Sequence, residues 1–300
     1  MYTIGVDIGG TKVKAGIFGE NGKIHQLIEE PTYKINIVEQ LIHNIHKLCS
    51  NFQQQINAIG IATAGRVNFE EGYIFLATSN LPNWTGTKVK EIVEREFNIP
   101  TFVDNDANCA AIAEVTAGAA RDCKNVACIT LGTGVGAGIF LNGQLVRGTQ
   151  GGAGEFGHMI LVPGGKKCSC GKKGCWEQYV SGNALQEEVS NNSKLSSFGC
   201  NPKTLFTLAH SGNPDASRII DKFTDDLATG IMSIQNVLDL ECYVIGGGLI
   251  DSSELWWDQF IYRLKMLAGD APMLKRAFFK NNAGMYGSSL LALDGLGKFG

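Results

Sequence analysis

The sequence predicts an α/β protein built of two lobes, and three observations carry that expectation. Two stretches echo each other, IGVDIGGTKVKAGIFGENGK at residues 4–23 and ITLGTGVGAGIFLNGQ at residues 129–144. Helical periodicities alternate with short apolar runs that end in turn residues. The 300 residues, 44% of them hydrophobic, suffice for two compact units that each bury a core.

Each echo reads as an apolar strand, a Gly/Thr turn, a second strand containing Ala-Gly-Ile-Phe, and an Asn-Gly turn. Asn-Gly between apolar runs signals a hairpin because both residues tolerate positive φ, so each half opens with an antiparallel meander. The shared order of these features favours a duplicated architecture over chance similarity. Next, Val38, Leu41, Ile42, Ile45, Leu48, Cys49 and Phe52 recur at helical spacing, predicting an amphipathic helix that covers a sheet and ends near Gln55. A strand over Ala58–Ala62 leads into the loop Thr63-Ala64-Gly65-Arg66, and a helix from Lys88 to Phe97 precedes a strand from Thr101 to Val103. In the second half, Ala216, Ile219, Ile220, Phe223, Leu227, Ile231, Ile234, Val237 and Leu238 are read as one face of the longest helix. The strand Tyr243-Val244-Ile245 then runs into Gly246-Gly247-Gly248. The tail Tyr286–Leu293 reads as a helix that packs back on the first lobe, and the Gly-rich end from Gly295 as frayed. This alternation argues for an α/β architecture.

A formal charge of −3 without a long run of Lys or Arg argues against nucleic acid or an anionic membrane as a partner. No apolar stretch reaches the roughly 18 residues of a spanning helix, and Met1 leads directly into a strand-like run, so the expected location is cytoplasmic. Cys49, Cys109, Cys123, Cys128 and Cys242 sit in apolar segments, the pattern of reduced core thiols rather than a disulfide framework.

Three glycine turns have the character of phosphate cradles. In Asp7-Ile8-Gly9-Gly10-Thr11-Lys12, adjacent glycines let backbone N–H groups approach an anion that a Cβ would exclude. Asp7, at a strand end, is placed to hold Mg²⁺ directly or through water. Gly132-Thr133-Gly134 offers a second turn and the strand-end Gly246-Gly247-Gly248 a third, so the three together can serve one nucleotide. No P-loop pattern occurs. The dinucleotide-like Gly132-Thr133-Gly134-Val135-Gly136-Ala137 is followed by strand and turn residues instead of a helix, which excludes a Rossmann site.

Asp104-Asn105-Asp106-Ala107-Asn108 passes from a strand into a helix start, where acidic and amide side chains interact well with free N–H groups. Capping and a functional role are equally compatible with these residues alone. Cys168, Cys170 and Cys175, with His158 ten residues upstream, form a Cys₃His set suited to a closed tetrahedral Zn²⁺ site. Gly171 and Gly174 permit the turn that brings three sulfurs round one ion. The expected zinc is structural and fixes the loop carrying Glu177, while the second ring nitrogen of His158 is left to face a substrate.

The ordered motifs DIGGTK (7–12), DNDAN (104–108), LGTGVGAG (131–138), GEFGH (154–158), CSCGKKGCWE (168–177) and VIGGG (244–248) resemble the ROK family of sugar kinases and related repressors, over nearly the whole chain. The resemblance implies the two-lobed actin-like (ribonuclease H-like) ATPase fold with a central cleft, and homodimers or homotetramers. The expected division is an N-terminal lobe of residues 1–115 completed by a C-terminal helix at 284–300, and a larger second lobe of residues 116–283 with the zinc loop. It implies ATP as phosphoryl donor, Asp106 as catalytic base, and Asn105, Glu155, His158 and Glu177 as sugar contacts. Gly65, Arg66, Thr78 and Asn105 resemble the sugar contacts of the N-acetylmannosamine kinase half of the bifunctional epimerase/kinase. The implied acceptor is the 6-hydroxyl of a hexose or N-acetylhexosamine, led by N-acetylmannosamine and glucose. Fructokinase and N-acetylglucosamine kinase are the alternatives within the family. A sugar-responsive repressor is disfavoured because such proteins carry a helix-turn-helix ahead of the first glycine turn, and here that turn begins at Asp7.

Overall fold

The computed structural model describes residues 1–77, 80–199, 201–269 and 271–297. In chain order the strands are β1 (Tyr2–Ile8), β2 (Lys12–Gly19), β3 (Ile24–Pro31), β4 (Ala58–Thr63), β5 (Arg66–Asn68), β6 (Tyr73–Leu76) and β7 (Thr101–Asn105). They continue with β8 (Val126–Leu131), β9 (Val135–Leu141), β10 (Gln144–Val146), β11 (Cys242–Gly246) and β12 (Met273–Arg276). The helices are α1 (Ile37–Ser50), α2 (Val89–Phe97), α3 (Asp106–Thr116), α4 (Glu177–Val180), α5 (Gly182–Ser190), α6 (Pro202–His210), α7 (Pro214–Leu238), α8 (Trp257–Ala268) and α9 (Ala283–Gly295).

The echo in the sequence is an echo in topology. One sheet has the order β3-β2-β1-β4-β7 and the other β10-β9-β8-β11-β12, so the first strand of each echo is central in its sheet. In the first sheet β1 and β2 pair antiparallel, and β1, β4 and β7 pair parallel. In the second, β9 and β10 pair antiparallel, and β8, β11 and β12 pair parallel. The Asn-Gly turns sit where the patterning puts them: Gly22 has φ +75°, and Asn142 and Gly143 have φ +53° and +77°.

The chain divides into two compact units: residues 1–122, 138–154 and 282–300, and residues 123–137 and 155–281. Segment 138–154, which the motif order assigns to the second lobe, groups with unit one because its residues pack there. A Cβ on Gly138 would stand 2.6 Å from Ala111 Cβ and 2.8 Å from Ala107 O, and Arg147 pairs with Asp104.

Unit one is built on the first sheet, whose β4 is buried at every position. Ile37, Leu41, Ile45 and Leu48 of α1 join a core cluster with Ile4, Val6, Ile59 and Ile61, burial that drives the helix onto the sheet. α1 stops at Ser50 rather than near Gln55, because Asn51 Nδ2 and Ser50 Oγ both donate to Lys47 O and close the last turn. Phe52 still packs, its ring centroid 4.9 Å from that of Tyr2. On the other face α9 lies close to the strands: Gly5 and Gly60 present no side chain where the Met285 and Ser288 carbonyls approach.

Unit two holds the second sheet's β11 and β12 with α4 to α8. Trp176 is fully buried against Gly230 of α7, and its Nε1 donates to Asp226 O at 2.9 Å. That anchor precedes Glu177 and fixes the cysteine loop on the longest helix. No helix among the described residues is long and apolar enough to cross a membrane.

Candidate active site and metal centre

In unit one the β7–α3 junction brings three carboxylates together. Asn105 is the N-cap of α3: its Oδ1 accepts from Ala107 N–H at 2.9 Å and Asn108 N–H at 3.2 Å. Its Nδ2 donates to Gly65 O at 2.9 Å. Capping therefore uses the Asn105 oxygen, and one of its two amide protons stays outside those bonds. Asp106 is the first residue of α3, where the helix N-terminus favours a negative charge. Asp104 is 1% exposed, and its Oδ1 accepts from Asn105 N–H at 2.7 Å and Asn108 Nδ2 at 2.9 Å. Its Oδ2 accepts from Arg147 Nε at 2.7 Å.

Asp7 stands at the C-terminal end of β1 in register with Lys14 of β2. Burial first, then the charge of Asp106, pushes its carboxyl up to about 7, with Lys14 acting in the opposite sense. Lys14 Nζ donates to Asn282 Oδ1 at 3.0 Å. Beneath these groups, burial and the charges of Asp104, Asp7 and Asp106 push the Cys109 thiol well above its ordinary range. Two carboxyl groups that raise each other's cost of ionisation suit a hard dication, which takes few carboxylates and keeps several waters. The residues thus fit Mg²⁺.

The Gly9-Gly10-Thr11 turn is closed by Gly9 N–H on Lys12 O at 3.0 Å, and Thr32 braces it through Oγ1 on Gly9 O at 2.6 Å. Neither Gly9 nor Gly10 has positive φ. Their value is space, since a Cβ on Gly10 would lie 2.9 Å from Asn80 Cβ. The Lys12 ammonium is ion-paired with exposed Glu29, so it is the Lys12 backbone that belongs to the turn. Gly65 needs its glycine, with φ +106° and a would-be Cβ 2.5 Å from Leu76 O. Arg66 follows in β5, with Gly152 against its guanidinium. Thr78 lies outside the described residues.

In unit two the other two glycine turns meet. Gly247, at φ +81°, sits on the backbone of Leu131 at the end of β8, a would-be Cβ 2.5 Å from Leu131 O. Gly132 N–H donates to Gly134 O at 3.0 Å, and Gly182 N–H to Gly132 O at 2.7 Å. Chain neighbours and local helix backbone aside, no atom of the described residues lies within 4 Å of a Cβ built on Gly132 or Gly248, so both backbones border open space.

The cysteine loop stands next to that turn. The ligand atoms of His158, Cys168, Cys170 and Cys175 all lie within 4.8 Å of one another. Cys170 and Cys175 sulfurs are 3.5 Å apart, and Cys168 Sγ is 3.7 Å from His158 Nδ1. A tetrahedron with Zn–S bonds of about 2.3 Å has edges of about 3.8 Å, so the donor set and its close grouping fit zinc. Gly171 and Gly174 have φ +86° and +81°, the left-handed backbone expected of them. His158 turns Nδ1 toward the sulfurs and Nε2 toward Glu155 Oε2, 3.8 Å away. Glu177 Oε1 accepts from Cys168 Sγ at 3.1 Å, and Oε2 reaches Val135 N–H at 3.4 Å. Glu155, His158 and Glu177 thus form a polar shelf on one side of the metal set. The other described cysteines are free thiols, with Cys109, Cys128 and Cys242 buried.

Sequence reasoning missed Asp104, Arg147 and Gly284. Asp104 lay in a noticed motif, but Arg147 and Gly284 reach it and Asp7 from distant segments that leave no local pattern.

The family model described as "ROK family" matches residues 3–295. The glucokinase of Streptomyces coelicolor is 34% identical over 316 residues, covering 97% of this chain and 98% of that protein. The N-acetylmannosamine kinase of Escherichia coli is 31% identical over 299 residues, covering 97% and 98%. A ROK family glucokinase from Streptomyces griseus, solved in complex with glucose and AMPPNP, superposes with a TM-score of 0.86 at 31% identity, over 98% of this chain and 100% of that one. The paired sheets are accordingly those of the actin-like ATPase fold that these kinases share. With the match running almost from end to end, the chain belongs to the ROK family and is one of its sugar kinases.

Proposed function

We propose that the chain transfers the terminal phosphoryl group of ATP to the 6-hydroxyl of a hexose or N-acetylhexosamine, with N-acetylmannosamine and glucose as lead candidates. The observation that carries this reading is Asp106 at the head of α3, its charge acting on the half-buried carboxyl of Asp7. A carboxylate of ordinary pKa, about 4, does not strip an alcohol in the ground state. Asp106 instead orients the hydroxyl and takes its proton as the new O–P bond forms and the bond to ADP breaks. The transition state is loose, so in-line placement and charge stabilisation supply most of the acceleration.

Asn105, Gly65, Arg66, Thr78, Glu155, His158 and Glu177 hold the sugar in this reading. The turns Gly9 to Lys12, Gly132 to Gly134, and Gly247 and Gly248 receive the phosphates, with the N–H groups of Gly9 and Gly132 closing their own turns and the remaining backbone facing the anion. Asp7 would hold Mg²⁺, which when bound would supply charge neutralisation on the phosphates. Zinc on His158, Cys168, Cys170 and Cys175 fixes the loop that presents Glu177. Support comes from the fit of each residue set to its group, and from relatives named glucokinase and N-acetylmannosamine kinase. The chain acts as a homodimer or homotetramer, a point that sedimentation of the purified protein decides.

The test is ADP release with Mg²⁺ and ATP across a panel of glucose, N-acetylmannosamine, N-acetylglucosamine and fructose. Turnover that requires sugar, and is fastest with one of the first two, is the expected result. Sugar-independent ATP hydrolysis alone would contradict the reading.

A further inference from the structure

We propose that Arg147 is a positioning residue for phosphoryl transfer: it grips Asp104 and, through it, the Asn105–Asn108 turn that carries Asp106. The inference rests on the reading of Asp106 as the base. Of the three donors on the Asp104 carboxylate, two come from its own loop, Asn105 N–H and Asn108 Nδ2. The third, Arg147 Nε at 2.7 Å, is the cation among them and arrives from forty-three positions away in sequence.

Arg147 is itself held in place. Its guanidinium carbon lies 3.6 Å from the centroid of the Phe69 ring, which the β5–β6 turn supplies, so the plane of the donor is set by stacking. Its carbonyl accepts from Ala153 N–H at 3.0 Å, closing the loop 147–153. In that loop Gly152 lies against the Arg66 guanidinium, a would-be Cβ 3.0 Å from Cζ, and Gly151 lies against the Val67 carbonyl. One arginine therefore ties together the turn that carries Asp106, the strand that carries Arg66 and the ring of Phe69.

Asp106 sits between two anchored residues, Asn105 and Asn108. A buried carboxylate that loses its cation is left poorly compensated and draws its remaining donors into new positions. A displacement of about 1 Å at a reacting group costs on the order of 10²-fold in rate. Lysine keeps the charge but neither the stacked plane nor the directed Nε–H.

The experiment compares Arg147→Met, Arg147→Lys and Phe69→Leu with wild type by hydrogen exchange at single-amide resolution and by steady-state kinetics. In Arg147→Met the Asn105 and Asn108 amides are expected to exchange at least about 10-fold faster with α1 amides unchanged, as local loosening requires. The kcat should fall about 30- to 100-fold with the KM for ATP within about twofold, and Arg147→Lys should recover part of the loss. Unchanged exchange at those amides, or a kcat within about twofold of wild type, would overturn the proposal. If Arg147→Met does not fold, Phe69→Leu is judged by the same exchange criterion. A wild-type protein that phosphorylates no sugar would defeat the kinase reading instead, and the exchange arm would still decide whether Arg147 holds the turn.

Discussion

Gly284, the second residue of α9, lies against the carboxylate of Asp7: a Cβ there would stand 2.5 Å from Oδ2 and 2.7 Å from Cγ. The C-terminal helix thus takes water away from a carboxylate at the strand end, and the nearby charge of Asp106 adds to the cost of ionising it. The folded value of about 7 stands above the ordinary 3.8, so between those values the folded state binds more protons than the unfolded one. Stability from this group is full below about pH 4 and is lost as pH rises toward 7.

The wild-type melting temperature, measured without nucleotide, should therefore fall between pH 5 and pH 8 by more than that of Asp7→Asn, which cannot ionise there. The difference should be several degrees, given about 2–4 °C per kcal/mol for a chain of this class. Parallel pH profiles of the two proteins in differential scanning calorimetry would contradict the account. Asp7→Asn should also lose sugar-dependent ADP release.

The cysteine loop predicts about one zinc per chain by elemental analysis of freshly purified protein. Cys168→Ser should lose the metal and melt at lower temperature, because a closed structural site contributes folding energy directly. Wild-type protein that is metal-free and equally stable in the presence of a chelator would contradict the assignment.

The glycines separate space from strain. Gly247 combines φ +81° with the backbone of Leu131, so Gly247→Ala should destabilise the fold by more than about 2 kcal/mol in urea unfolding. Beyond their local backbone, Gly132 and Gly248 meet no described atom within 4 Å of a built Cβ, so their alanine variants should unfold like wild type. If phosphates approach these backbones, the same two variants should raise the KM for ATP about 10-fold or more. An unchanged KM would remove these turns from the nucleotide site.

Much of this was legible in the sequence because the signals are local. The Asn-Gly turns and the echoed strands mark each meander, the stripe from Val38 to Leu48 marks α1, and the spacing of Cys168, Cys170 and Cys175 with their glycines marks the loop on which the Cys₃His set gathers. What stayed hidden depends on long-range contact. The side chain of Arg147 carries no pattern in LVRGTQ, and its partner Asp104 looks like one more capping acid beside Asn105. The partner of the Lys12 side chain was hidden too: the register sets Lys12 opposite Pro31, and its ammonium reaches the diagonal neighbour Glu29. Helix α1 ended early because Asn51 and Ser50 compete for the Lys47 carbonyl, a contest that hydrophobic periodicity does not record.

The central claim is that Asp106 accepts the sugar proton, and single-turnover phosphoryl transfer by Asp106→Asn tests it most directly, with sugar affinity measured on the same sample by calorimetry. The account predicts a loss of about 10³-fold or more in the transfer rate with sugar binding and melting temperature close to wild type. Transfer within about tenfold of wild type by a variant that binds sugar normally would contradict it.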